Sequence, residues 1–263
     1  MWLALALLVF LIVWLRPLNT LRYSAYVLTL PESHERQEKF FAGLKDAVPI
    51  QVVHGVNTND VATARSYEDR VDPDYMKQAL KMHWNKTVER PNITYFNLGA
   101  IGAMIGHLEI HELANRQGAR YALVLEDNVI VNDDRFFKEV DDVLDALGDD
   151  FEMCFFHCHQ RLSDGEVGTL EKIKWISGMK AYLVNVPNML KYHEYFYPMD
   201  NHVDNKLEDL VVRGARIFYK DMQHCIEVDR TGGSTIGHSP HGRKEFFSRQ
   251  HPELDTSALR QGY

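Results

Sequence analysis

The stretch "YALVLEDNVIV", residues 121–131, runs apolar for most of one strand's length, delivers Glu126, Asp127 and Asn128, and turns apolar again. Two carboxylates and an amide at the exit of a buried strand can hold a divalent cation, and such a cation neutralises a diphosphate leaving group. That chemistry suits sugar transfer from a nucleotide. The plainer reading is a pair of turn residues that cap the strand. What favours the functional reading is a second acidic stretch, "MDNHVDNKLEDL" with Asp204, Glu208 and Asp209, later in the chain.

Competing chemistries lack their motifs. No GxGxxG or GxxxxGK[ST] loop is present, which speaks against a dinucleotide enzyme or a P-loop ATPase. "HELAN", starting at His111, breaks the HExxH pattern of a zinc protease at its last position. Cys154, His157, Cys158 and His159 crowd the stretch "FEMCFFHCHQ", but strand alternation throws neighbours to opposite faces and argues against a zinc cluster. In that strand Cys154 and Cys158 would lie about 13 Å apart, too far to bridge, so they and Cys225 are read as free thiols. His107 and His111 stand four apart on one helix flank and are read as structural, because nothing else in that helix completes a metal site. Tyr192, Tyr195, Phe196 and Tyr197 are read as packing rather than as a sugar platform.

The elements that must position the carboxylates follow from periodicity. "YSAYVLTLPESHERQEKFFAGL" reads as a strand from Ser24 to Leu30, a turn at Pro31 and a helix from Ser33 or His34. "PIQVVHGVN" is a second strand, and residues 58–94 are polar, aromatic-dotted and weakly periodic, which predicts a substrate-facing insertion. "GAIGAMIGHLEIHELANRQGA" is a helix stopped at Gly118. After the strand at Tyr121, Phe136, Phe137, Val140, Val143, Leu144 and Leu147 share one helical face closed by Gly148. A strand over Phe151 to Phe156 follows, then a strand over Ala181 to Val186 and a helix opened by Pro187. A short helix and a final strand come from the "MDNHVDNKLEDLVVRGARIFYKDMQ" region, and the Gly-rich stretch from Cys225 reads as an active-site-facing or surface tail with no core of its own. The alternation predicts an α/β domain with a mainly parallel central sheet. In such sheets a ligand is met outside the carboxyl ends of the strands, where Glu126 and Asp127 fall.

The chain has 263 residues, 45% of them hydrophobic, which is enough for a full core. Its net charge of −8 and scattered lysines and arginines speak against nucleic acid as a partner. Residues 1–15 carry no charged side chain. They span about 22 Å as a helix, short of a hydrocarbon core of about 30 Å. Arg16 and Arg22 follow the apolar run and no A-x-A site appears, so the expectation is an uncleaved single-pass anchor over 1–18 with a linker at 19–23. The side of the membrane stays open: the flanking arginines favour a cytoplasmic domain, whereas the triplets at Asn85 and Asn92 would be glycosylation acceptors in a lumenal one.

The ordered motifs resemble glycosyltransferase family 25, which includes lipopolysaccharide-building transferases and collagen galactosyltransferases. The matching stretches are "YVLTLPESHERQEKF", "GAIGAMIGHLEIHE", "YALVLEDN", "SGMKAYLVN", "VDNKLEDL" and "GGSTIG". The resemblance implies a GT-A type fold over 24–240 with a polar tail at 241–263. It implies inverting transfer from a UDP-sugar, with galactose or glucose as candidate sugars, to a glycan, protein or lipid-linked acceptor. It places Thr29 and Arg36 near the nucleotide. Glu126, Asp127 and Asn128 would meet the ribose, the diphosphate and a cation such as Mn²⁺, and Ser177 and Gly178 would shape the donor pocket. Asp204 would be the general base, with Glu208 or Asp209 in reserve. Against the family pattern, Ala100, Ala103 and Gly106 replace Glu, Cys and Ser, and Asn128 replaces a third carboxylate, so metal affinity is expected to fall or the metal to be dispensable. These departures also keep open a catalytically inactive relative that acts as a binding or adhesion module. A hydrolase of nucleotide sugars is a third class.

Overall fold

The computed structural model describes residues 21–44, 48–84 and 97–229. The expected anchor over 1–18, the triplets at Asn85 and Asn92, the "GGSTIG" stretch and the tail at 241–263 lie outside these residues. Among the described residues no helix is long and apolar enough to cross a membrane.

In chain order the elements are β1 (Ser24–Thr29), α1 (His34–Gly43), β2 (Ile50–His54), α2 (Val61–Arg65), α3 (Pro73–Trp84), α4 (Leu98–Arg116), β3 (Tyr121–Glu126) and β4 (Val129–Val131). They continue with α5 (Arg135–Leu147), β5 (Met153–His157), β6 (Gln160–Val167), β7 (Leu170–Ser177), β8 (Ala181–Asn185), α6 (Val186–Leu190), α7 (Val203–Val212), β9 (Ile217–Tyr219) and β10 (Ile226–Val228). Eight strands form one sheet in the order β2-β1-β3-β8-β5-β9-β7-β6, and β10 pairs with β4 in a separate ribbon.

The α/β class holds, and the sheet is mixed. The β2-β1-β3 side is parallel as expected, as is β5-β9, whereas β8 runs antiparallel to both β3 and β5. The far edge is the hairpin β6-β7, whose turn at Gly168 takes a positive φ of +61° and which carries β7 antiparallel to β9. Residues 58–94, expected as a weakly periodic, substrate-facing insertion, contribute α2 and α3 within their described part. The stretch after Cys225 is not all surface: Ile226 is buried in the β4-β10 ribbon.

Period-two alternation sorts the strands between two helical layers. Tyr26, Ala122, Val124 and Tyr182 face α4 and share a core with α3, α6 and α7. Ala25, Val27, Leu123, Leu125 and Leu183 face the other way, against Phe40 of α1 and the apolar stripe of α5. That stripe consists of Phe136, Phe137, Val140, Val143, Leu144 and Leu147, and all six are buried. Phe196 is buried within the first core, with Tyr192 and Tyr195 packed against it. Cys154, Cys158 and Cys225 are free.

The helix α4 is buried nearly all round, and its glycines set how closely it approaches its neighbours. A Cβ at Gly102 would overlap the Val56 carbonyl oxygen and lie 2.6 Å from Thr58 Oγ1. The same hydroxyl accepts the Gly102 N–H at 2.9 Å and donates to the Leu98 carbonyl at 2.5 Å, so the loop after β2 is tied to the helix here. Gly102→Ala is therefore expected to destabilise the fold by about 1–3 kcal/mol, despite the higher helix propensity of alanine. Denaturant midpoints of the two proteins measure this, and an unchanged or raised midpoint would contradict the close packing.

Candidate active site

β1 and β3 are parallel neighbours, so Thr29 and Glu126 leave the sheet at the same edge. A crevice opens there, bounded by the ends of β1 and β3, the 55–59 loop after β2, one face of α4 with Ala103 and His107, and Arg36 of α1. This is the edge at which α/β sheets receive ligands.

Asp127 stands just past β3, and its N–H donates to the Leu28 carbonyl at 3.1 Å, which fixes the turn. Its carboxylate is nearly buried: Oδ2 accepts from Thr29 Oγ1 at 2.7 Å, and Oδ1 pairs with Arg36 Nη2 at 2.5 Å. Burial raises the Asp127 carboxyl above its ordinary range, and Arg36 and Thr29 oppose that rise without cancelling it. The other terminal nitrogen of Arg36, Nη1, is buried and has no hydrogen-bond partner among the described residues. A buried cationic donor left unmatched is costly, so an anionic oxygen entering the crevice would find a partner waiting.

Glu126 has a partner that sequence reasoning missed. The antiparallel register sets Leu125 opposite Ala181, so Lys180 falls opposite Glu126 and its carbonyl accepts the Glu126 N–H at 2.8 Å. The Lys180 ammonium then reaches Glu126 Oε2 at 2.6 Å, with both side chains largely enclosed. On the other side His107 Nε2 faces Glu126 Oε1 at 3.7 Å. Burial alone would raise the Glu126 carboxyl; Lys180 and His107 outweigh it and hold the group far below the usual carboxylate range. The signal for Lys180 lay in the sequence as a single cation between "ISGM" and the apolar "AYLVNV".

His107 has a place in the crevice wall as well as in the core. Its Nδ1 lies 3.0 Å from the Tyr182 hydroxyl, which also meets His111 Nε2 at 3.2 Å, and His111 Nδ1 lies 3.2 Å from His193 Nε2. Burial, then His193 and His107, lower the His111 pKa, which keeps that imidazole neutral. Burial and then Glu126 raise Tyr182, which keeps its hydroxyl protonated. The chain of rings fixes the orientation of His107 beneath Glu126.

The remaining expected residues sit at the end of β7, on the loop that follows it and on α7. Ser177 ends β7 and is buried, and Gly178 follows with φ +94°. A Cβ at Gly178 would lie 2.7 Å from His159 Cδ2, so both conformation and space require glycine there. The Gly178 N–H donates to Asp204 Oδ2 at 2.6 Å, while the Asn205 N–H donates to Oδ1 at 3.0 Å. Asp204 is thus joined to the short loop that ends in Lys180. Glu208 is one helical turn further along α7 and half-buried, whereas Asp209 is exposed. The crevice walls hold Thr29, Arg36, Glu126 and Asp127 together; Ser177, Gly178 and Asp204 are not among its lining residues and connect to it through Lys180.

The expected cation ligands Glu126, Asp127 and Asn128 do not fit a divalent ion as arranged. Two carboxylates are already met by two fixed cations, Lys180 and Arg36, so no excess negative charge remains and an entering ion would face both. Asn128 adds one neutral oxygen, Oδ1, buried and without a partner among the described residues. Its carbonyl accepts the Asp229 N–H at 2.7 Å, which ties this turn to the end of β10.

A mixed α/β sheet with a polar, charge-balanced crevice at the ends of β1 and β3 defines the class: an α/β protein with an open crevice at the carboxyl edge of its sheet. A family model described as glycosyltransferase family 25 (LPS biosynthesis protein) matches residues 23–162, more than half of the chain. The chain belongs to glycosyltransferase family 25 and is a glycosyltransferase by that membership. The match covers Thr29, Arg36 and Glu126 to Asn128 and ends before Ser177, Lys180 and Asp204. Among solved structures, mannose-1-phosphate geranyltransferase from Thermus thermophilus is 13% identical with a TM-score of 0.36, covering 83% of this chain and 80% of that one. UDP-glucose pyrophosphorylase from Acinetobacter baumanii is 12% identical with a TM-score of 0.33, covering 88% and 95%. Superposition this shallow assigns neither fold nor chemistry. No curated protein is significantly similar to the chain.

Proposed function

We propose that the chain is a GT-A type transferase that moves a hexose, galactose or glucose, from a UDP-sugar to a hydroxyl of a glycan, protein or lipid-linked acceptor, with inversion. Its catalytic domain is the 24–240 region, held to a membrane by residues 1–18. The observation that carries the reading is Arg36 Nη1, a buried cationic donor with no partner among the described residues, at the wall of a crevice whose lining residue Glu126 pairs with Lys180. The diphosphate binds with its oxygens on Arg36 and Lys180. Thr29 and Asp127 hold the guanidinium in place, and Glu126 with His107 holds the ammonium. As the acceptor oxygen bonds to the anomeric carbon, the bond from that carbon to the β-phosphate oxygen breaks, and the pair of electrons leaves with UDP. Arg36 and Lys180 meet the charge that develops, and Asp204 takes the acceptor's proton.

In this reading the fixed cations do the work for which Mn²⁺ was expected, so the metal requirement is relaxed. Calorimetry of UDP with the full-length protein in detergent, with and without chelator, tests it together with transfer from UDP-galactose and UDP-glucose. Binding and turnover that persist in chelator are the expected result. Binding that needs Mn²⁺ would overturn the metal-free reading, and an absence of binding and turnover under both conditions would favour the inactive binding module. The observation that favours that second reading is the full pairing of both carboxylates inside the protein.

A further inference from the structure

At the rim of the core beside α5, a second group of ligating side chains comes together, with Cys225 itself buried in the core, Glu139 partly buried and His224 exposed. His224 Nε2 lies 2.7 Å from Glu139 Oε1, and Cys225 Sγ lies 3.6 Å from the same oxygen. All three atoms fall within 4.8 Å of one another. We propose that Glu139, His224 and Cys225 bind a zinc ion, with water as the fourth ligand.

Three arguments carry this. The first is donor type. A thiolate, an imidazole and a carboxylate on one centre are a set that zinc takes readily and that magnesium or calcium does not. The second is spacing. Tetrahedral zinc with bonds of about 2.0–2.3 Å needs ligand atoms roughly 3.3–3.7 Å apart. The Cys225 to Glu139 separation already meets this, and the His224 to Glu139 pair meets it once the ion displaces the shared hydrogen and a side chain turns slightly.

The third is preorganisation. The Cys225 carbonyl accepts from Asn132 and Asp133 N–H groups at 2.8 and 3.2 Å, and the Ile226 N–H closes on the Met222 carbonyl at 3.0 Å, so the ligand-bearing turn is pinned. Glu139 stands on the flank of the buried stripe of α5, on a helix locked into the core. Nearby cations do not occupy the carboxylate: Arg135 pairs with Asp133 at 2.6 Å, and Lys220 leans toward Thr169 Oγ1 at 3.5 Å. The His224 side chain is half exposed, which leaves the ion an entry path and room for water.

Without the metal, the Cys225 thiol donates to the Glu139 carboxylate. Zinc binding forms the metal–sulfur bond and releases that proton to solvent. The ion fastens the turn before β10 to α5. Because β10 pairs with β4 and the Asp229 N–H holds the Asn128 carbonyl, it also steadies the turn that carries the acidic motif.

The test is titration of chelator-stripped, full-length protein with Zn²⁺ against a competing chromophoric chelator, with Co²⁺ as a spectroscopic probe. One ion per chain, an ultraviolet thiolate-to-cobalt band, and a melting midpoint raised by Zn²⁺ and not by Mg²⁺ are expected. Cys225→Ser should abolish the band, and His224→Ala and Glu139→Gln should each weaken Zn²⁺ binding about tenfold or more. Cys158→Ser should change nothing. No tight Zn²⁺ site in the native protein, or one unaffected by His224→Ala and Glu139→Gln, would overturn the proposal. Those two side chains are partly exposed, so the test stands even where Cys225→Ser fails to fold.

Discussion

Lys180→Met is expected to cost the enzyme about 10²–10³ in turnover and the fold about 3–5 kcal/mol, the two losses having separate causes. The stability loss comes from Glu126: with its ammonium gone, an enclosed carboxylate faces only His107 at 3.7 Å. Removing one partner of a buried pair leaves the other uncompensated, and that penalty exceeds the net worth of the pair. The turnover loss comes from the reaction, in which a fixed positive charge meets the leaving diphosphate; deleting one such preorganised group costs about two to three powers of ten. The double variant Glu126→Gln/Lys180→Met separates them. Its denaturation midpoint should recover most of the lost stability, because no unpaired charge remains, while its turnover should stay low. Recovery of both would make Lys180 a structural residue and remove it from the proposed mechanism.

Asp204→Asn should lower kcat by about 10²–10⁴ while leaving UDP affinity within about twofold. The asparagine keeps an oxygen that can accept the Gly178 N–H, now held at 2.6 Å, so the loop that ends in Lys180 keeps its place. What it loses is the capacity to accept a proton from the acceptor hydroxyl. Parallel assays of Glu208→Gln and Asp209→Asn should stay near the parent, Asp209 most closely because it is exposed. If UDP affinity falls as steeply as kcat in Asp204→Asn, then Asp204 is a positioning residue for the 178–180 loop and the base is elsewhere.

The parts of this arrangement that could be read in the sequence are those carried by local periodicity. The apolar stripe of α5 from Phe136 to Leu147 is visible at helical spacing, and the β1–turn–α1 unit announces itself through Pro31 and the alternation before it. Glu126 and Asp127 stand out because carboxylates at the end of "YALVL" contradict their surroundings. Strand direction, by contrast, is a non-local property. Nothing in "AYLVN" states that β8 enters between β3 and β5 against their direction, and the assumption of a mainly parallel sheet sends its first residue to the opposite edge from Glu126. That is why Lys180 was invisible as a partner and why the acidic motif looked like an ion site lacking a third carboxylate. The hairpin β6-β7 was missed for a related reason: its outer strand is largely exposed and has no apolar face to reveal it.

The central position of β8 has a consequence for what counts as one unit of this protein. The segment that carries the family match, 23–162, includes β3 and β5, but these two strands do not touch; β8, from beyond the match, lies between them. A chain cut at the end of the recognisable segment would present two unpaired, apolar strand edges facing an empty slot, a template for pairing with other chains. The boundary seen by sequence comparison therefore runs through the middle of the sheet. The smallest piece that can be expressed, swapped between relatives or evolved as a whole must extend at least through Asn185.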